Sequence, residues 1–185
     1  MRVNRYHSLS ITLHWIMAAG LLFMLLSGVY MVNFDITKAD QFKLYQIHKA
    51  SGVIMLWAII LRIIVRVFTR SPALPSQMSN TEKRLAKFGH VALYGGLILM
   101  PISGWLMVSA SPFGLPTFVF VDWISWPHIP FVERNKVIEG IARNIHWITA
   151  SVLFIMVFGH ISAVWLHRKK QGIHLIKRMW WSKNQ

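Results

Sequence analysis

Four long apolar runs, at residues 9–32, 47–68, 88–108 and 145–166, alternate along the chain with short segments rich in charge or proline. Each run approaches or exceeds the roughly 20 residues that a helix needs to cross a hydrocarbon layer of about 30 Å. The pattern predicts an all-α membrane protein, a four-transmembrane-helix bundle. Trp15, Tyr30, Trp105, Trp147 and Trp165 lie near the run ends, where amphipathic rings settle at the membrane–water boundary.

The segments between and beyond the runs are less regular. Residues 109–144 hold Pro112, Pro116, Pro127 and Pro130 with Trp123 and Trp126 among them. That stretch is too broken to span and too apolar to float free, so it reads as an outer interfacial loop that partly covers one end of the bundle. The tail, 168–185, mixes bases with Ile173, Leu175, Ile176, Met179 and Trp180, and reads as an amphipathic segment on the inner leaflet. Arg2 and Arg5 before the first run imitate a signal peptide, but the run is too long and lacks a small-residue cleavage site, so an uncleaved first span is expected. Residues 1–185 therefore read as one transmembrane domain, with no internal repeat and no second domain.

Composition agrees with a membrane class. Of 185 residues, 55% are apolar and only 14% charged, too little polar surface for a soluble domain of this length. The absence of cysteine removes disulfides, thiolate metal sites, iron–sulfur clusters and covalent c-type haem attachment. A net charge of +14 could point to nucleic acid, but the bases flank the apolar runs and no nucleic-acid-binding motif accompanies them. Nucleic acid is not an expected partner, whereas anionic membrane lipid is.

Charge also orients the chain. Arg2, Arg5, Arg62, Arg66, Arg70, Lys83, Arg84, Lys87, Arg168, Lys169, Lys170, Lys177, Arg178 and Lys183 border one side, against Glu82 alone. The other side sets Lys38, Lys43, Lys49, Arg134, Lys136 and Arg143 against Asp35, Asp40, Asp122, Glu133 and Glu139. The positive-inside rule then places both termini in the cytoplasm. The expected location is the bacterial inner membrane, as a multi-pass protein.

The histidines carry the candidate chemistry. His146 and His160 stand fourteen residues apart on the last run. That is close to four helical turns, so both leave one face, with levels roughly 21 Å apart. With the topology drawn, His14 and His160 fall near the cytoplasmic side, and His48 and His146 near the outer side. Two ligand pairs at two levels suit two bis-histidine b-type haems stacked across a bilayer. A zinc or di-metal bundle is disfavoured, because the spans lack carboxylates and His146 is too far from His160 to share an ion.

Other residues follow the same fourteen-residue step. Gly28 follows His14 and Gly104 follows His90 at that spacing, small residues that let a helix approach a flat macrocycle or simply another helix. Gly52, Gly95 and Gly96 have the same two readings. Arg62 follows His48 likewise and is a candidate partner for a haem propionate; the competing reading for Arg62, and the favoured one for Arg66, is snorkelling to the membrane edge. His90 and His167 are candidates to bind a quinone near the inner haem and exchange its proton, or else interfacial histidines touching lipid and water. Lys49 and Arg143, beside the outer ligands, could neutralise propionates, attract an anionic donor or serve as interfacial charges. His7, His128 and His174 fall in tails and loops and carry no assignment.

The stretches SLSITLHWIMAAGLLFMLLSG, HKASGVIMLWAIILRIIVR, LYGGLILMPISGWLMVSASPFG and IHWITASVLFIMVFGH, in that order, resemble the bacterial cytochrome b561 family. That family is related to the b-type subunits of membrane hydrogenases and formate dehydrogenases. The resemblance covers nearly the whole chain. It implies a four-helix cytochrome with two non-covalent haems b, held by His14 with His160 and by His48 with His146. It also implies exchange with ubiquinone or menaquinone near the inner haem. In members related to superoxide oxidase, superoxide at the outer face supplies the electron and ubiquinone accepts it. The short tail implies no fused periplasmic domain; a separate periplasmic redox partner is a candidate donor.

The expected function is transmembrane electron transfer between a periplasmic-side donor and a membrane quinone. Two alternatives stand beside it: a haem-binding anchor subunit of a larger oxidoreductase, and a haem-free transporter with a histidine proton relay. The transporter is disfavoured because the middles of spans one, three and four are apolar apart from Pro101, Ser103 and a few small residues. The topology is directly testable. A reporter that functions only in the cytoplasm should be active when fused at residue 185 and inactive when inserted near residue 130; the opposite result would invert the orientation.

Overall fold

The computed structural model describes residues 5–119 and 124–181, so the readings placed on Arg2, Asp122, Trp123 and Lys183 lie outside the described residues. Four helices make up most of it: α1 (Ser8–Asn33), α2 (Lys38–Phe68), α3 (Asn80–Ala110) and α4 (Lys136–Gln171). All four are long and apolar enough to cross a membrane.

Each helix outruns the apolar run that predicts it, chiefly at the start: α2 and α4 begin nine residues earlier and α3 eight. Polar first turns remain helical because their free N–H groups find side-chain acceptors. The Thr37 hydroxyl accepts from Asp40 N at 3.2 Å, and Asn135 Oδ1 accepts from Val137 N and Ile138 N, both at 3.1 Å. Ser79 and Glu82 form a reciprocal capping box at the start of α3. Gly172 ends α4 in the left-handed region (φ 67°) and returns its N–H to His167 O.

α1 packs on α2, α2 on α3 and α3 on α4, whereas α1 and α4 touch only sparsely. Ile11, Ile59 and Leu153 are fully buried. Leu22, Leu26, Phe68, Phe154 and Phe158 are exposed, as a hydrocarbon solvent allows. Two glycines set the close approaches within the hairpins. A Cβ on Gly20 would lie 2.7 Å from Met55 Sδ, and one on Gly96 would lie 2.7 Å from Leu153 Cδ2.

The loop between α3 and α4 is fastened to the helices rather than lying loose. It contains a minimal antiparallel ribbon, β1 (Thr117–Phe118) with β2 (Ser125–Trp126), which the proline-rich sequence did not suggest. Lys49 Nζ donates to Pro116 O at 3.0 Å, Trp105 Nε1 to Pro127 O at 2.8 Å, and Ile129 N to Ser109 Oγ at 2.9 Å. Trp126 meets Trp57 and Trp105 edge-to-face at 6.2 and 5.4 Å.

At the opposite end the tail forms a strap. After α4 it makes one short 3-10 turn, Ile176–Met179. Specific bonds dock it: Tyr6 N donates to Arg178 O at 3.2 Å, Trp15 Nε1 to Met179 O at 2.7 Å, and Trp181 Nε1 to Thr12 Oγ1 at 3.2 Å. Both described termini thus lie together at one end of the bundle, called the terminal end below; the other is the loop end.

The glycine contacts generate a stability prediction. Leu153 is fully buried and cannot yield, so Gly96→Ala should cost about 1–3 kcal/mol through overpacking. Gly89→Ala, on the same helix with open space around it, should be neutral or stabilising by up to about 1 kcal/mol. Unfolding of both variants in detergent checks the contrast; equal effects would refute it.

Candidate haem-binding site

The structure sorts the membrane histidines into two groups. At the terminal end, His14 on α1 and His160 on α4 have ring centroids 6.4 Å apart and ring planes at 62°. His90 on α3 also lies near His160, with ring centroids 5.9 Å apart. At the loop end stand His48 on α2 and His146 on α4.

Arg62 faces into the bundle and does not snorkel. Its Nε donates to Tyr94 Oη at 3.1 Å, Nη1 to Ser10 O at 3.0 Å, and Nη2 to His14 Nδ1 at 3.2 Å. A guanidinium only donates, so His14 Nδ1 accepts and the neutral ring carries its hydrogen on Nε2, where a metal would have to take the place of that proton. Arg66, by contrast, lies at the helix edge, hydrogen-bonded to Ser71 with its guanidinium over the Tyr6 ring.

The loop-end imidazoles are held differently. Ser27 Oγ lies 2.9 Å from His48 Nδ1, and Ser103 Oγ lies 3.1 Å from His146 Nδ1. Met100 O is also 3.0 Å from His146 Nδ1. Gly28 and Gly104 leave room for these rings: an added Cβ would stand 3.6 Å from His48 Cε1 and 3.1 Å from His146 Cε1. Sequence reasoning found the glycines and missed both serines, although each stands one residue before its glycine.

His167 is not brought to the terminal-end histidines. Its Nδ1 bonds Gln171 Oε1 at 2.9 Å and lies 3.8 Å from Glu82 Oε1, while Gln171 Nε2 donates to Glu82 Oε1 at 2.7 Å. These side chains line a hollow with Ala163, Leu166 and Lys170. At the loop end, Lys49 is engaged by Pro116 and Arg143 pairs with Glu139, one turn earlier on α4.

This donor set fits a haem. Among the described residues, no three His, Cys, Asp or Glu side chains converge as a site for a bare ion requires. Paired imidazoles suit an iron whose other ligands come from a macrocycle. Metal–imidazole bonds of about 2 Å on each side, with the ring radii added, put facing centroids about 6 Å apart, close to the His14–His160 spacing. His90 is as near to His160, but α3 and α4 are in direct contact, whereas sparsely touching α1 and α4 leave width for a flat ring.

A four-helix membrane bundle with paired histidines at its terminal end and serine-held histidines at its loop end fits the class of b-type membrane cytochromes. The chain belongs to the prokaryotic cytochrome b561 family, whose sequence profile matches residues 5–182. It is 27% identical to Cytochrome b561 homolog 2 of Escherichia coli (strain K12) over 166 residues, 89% of this chain and 85% of that protein. It is 22% identical to Cytochrome b561 homolog 1 of the same organism over 180 residues, 96% of this chain and 97% of that protein. Membership implies electron transfer in a membrane with haem b, by a multi-pass protein.

The two glycine cradles differ in tightness, which sets a test. Gly104→Ala places a methyl at 3.1 Å from His146 Cε1 and 3.3 Å from its Nδ1 and must displace the ring; Gly28→Ala, at 3.6 Å, makes ordinary contact. Haem per purified chain should fall in Gly104→Ala and stay near wild type in Gly28→Ala. Equal retention would show that His146 is not held as described.

Proposed function

We propose that the chain carries electrons across the bacterial inner membrane between a donor at the outer face and a quinone near the inner face, through two haems b. In this reading both termini are cytoplasmic, so the loop end is outer and the terminal end inner. His48 and His146 hold the outer haem, and His14 and His160 the inner one. The observation that carries the reading is the facing of His14 and His160 at 6.4 Å, with the second α4 histidine four turns away on the same face.

Haem b, when bound, supplies a one-electron iron couple, which side chains alone do not offer. The chain's own residues do the rest. With haem bound, the paired imidazoles would hold its iron at each level, which would favour transfer at the macrocycle edge over reaction at the metal. Haems held there would lie among apolar side chains suited to hydrocarbon, and the loop tied at Pro116 and Pro127 would narrow access from outside. Arg62 holds positive charge beside His14, in place to meet a propionate if it exchanges one of its present acceptors.

His90, beside His160, is the residue assigned to the quinone, where an imidazole can donate to a carbonyl oxygen and exchange a proton. His167, with Glu82 and Gln171 in the neighbouring hollow, is assigned to the same substrate's path to the cytoplasmic surface. Superoxide or a soluble periplasmic redox protein is the proposed donor, and ubiquinone or menaquinone the proposed acceptor.

The purified protein should show a reduced b-type spectrum with two haems per chain. His146→Ala and His160→Ala should each lose mainly one haem, and not the same one. Loss of the same haem from both would refute the two-level pairing, and a colourless folded protein would refute the cytochrome assignment. Superoxide with a quinone analogue should yield quinol, and His90→Ala should slow that step at unchanged haem content.

A further inference from the structure

The loop-end histidines are built into the bundle by two equivalent sets of residues. On α1, Gly20, Met24, Ser27 and Gly28 stand six, ten, thirteen and fourteen residues beyond His14. On α3, Gly96, Met100, Ser103 and Gly104 stand at the same spacings beyond His90. The partner helices answer in register: Met55 and Arg62 follow His48 by seven and fourteen residues, as Leu153 and His160 follow His146.

Contacts repeat with the spacing. Gly20 receives Met55 and Gly96 receives Leu153, each at 2.7 Å from an added Cβ, while Gly28 faces His48 and Gly104 faces His146. The chain is a tandem of two helical hairpins, α1–α2 and α3–α4, which corrects the expectation of no internal repeat. Hydropathy hides the repeat because the lipid-facing positions between these residues are freely exchanged among apolar types.

The two serines are the part of this repeat with a chemical consequence. Ser27 and Ser103 are 6% and 3% exposed, so water does not compete for them. Ser27 Oγ donates to Met24 O at 3.2 Å, and Ser103 Oγ donates to Met100 O at 2.9 Å. A hydroxyl has one hydrogen, and with that hydrogen on the carbonyl its oxygen can only accept from the imidazole. At His146 the Met100 carbonyl, 3.0 Å from Nδ1, can only accept, so that ring carries its proton on Nδ1 and presents the opposite nitrogen as a bare lone pair. His48 takes the same tautomer when the Ser27 hydrogen goes to Met24 O.

We propose that Ser27 and Ser103 are the positioning residues of the loop-end histidines, fixing the ligand tautomer of His48 and His146 and tuning the haem held there. This inference rests on the haem assignment made under Proposed function. Accepting from Nδ1–H makes an imidazole more basic, and a more basic axial ligand favours oxidised iron and lowers the reduction potential. The two positions differ in one respect. His146 Nδ1 keeps Met100 O at 3.0 Å if the Ser103 hydroxyl is removed, whereas Ser27 is the one hydroxyl that meets His48 Nδ1.

A spectroscopic redox titration of the purified cytochrome tests this, with the outer haem defined as the one lost in His48→Ala. Ser27→Ala should raise the potential of that haem and leave the other unchanged; Ser103→Ala should raise it by less. Ser27→Thr, which keeps the hydroxyl, should restore the wild-type value. Loss of the outer haem from Ser27→Ala with recovery in Ser27→Thr would also support the role. An unshifted potential in Ser27→Ala, a larger shift in Ser103→Ala, or the same shift or haem loss in Ser27→Thr as in Ser27→Ala would overturn it. If His48→Ala itself keeps every haem, the haem assignment fails instead, which is a separate outcome.

Discussion

The structure depends on keeping polar rings satisfied inside an apolar bundle while leaving one nitrogen of each free to bind. An imidazole in hydrocarbon needs a partner for the ring nitrogen that does not bind, and the neighbouring helices supply it by different means. Serine hydroxyls serve His48 and His146, whereas the Arg62 guanidinium meets His14. Those partners fix which helices must be neighbours. α1 meets α2 through Ser27 and Gly20, and α3 meets α4 through Ser103 and Gly96. α1 and α4 remain apart, and the His14–His160 gap lies between them.

The two ends of the bundle therefore differ in kind. The loop end is nearly symmetric, with matched serine, glycine and histidine from each hairpin. The terminal end breaks that symmetry, because the α2 position equivalent to His160 is Arg62. One cation and three histidines meet there, where the repeat alone would give two pairs of histidines or none. A positive charge beside a bound haem would stabilise its reduced form, so the two ends are electrostatically unlike.

Much of this was legible in the sequence. Run length and apolarity marked the four helices, and the fourteen-residue interval on the last run put His146 and His160 on one face because four turns return to the same azimuth. The serines were not legible, since a lone serine in an apolar helix acquires meaning only once another helix places a ring nitrogen within 3 Å. His90 and His167 were both candidates beside the inner haem, yet one meets His160, while the other, about two turns beyond His160 on α4, bonds Gln171 near Glu82. The β1–β2 ribbon and the docked tail depend on long-range bonds such as Lys49 to Pro116 and Trp15 to Met179, which no local pattern announces.

The central claim is that two imidazoles face one another at each of two levels. Low-temperature electron paramagnetic resonance of the oxidised wild-type protein, integrated against chain concentration, tests it most directly. The account predicts two low-spin ferric centres per chain, both with bis-imidazole character and no high-spin signal. A single centre per chain, or a stoichiometric high-spin species, would contradict it.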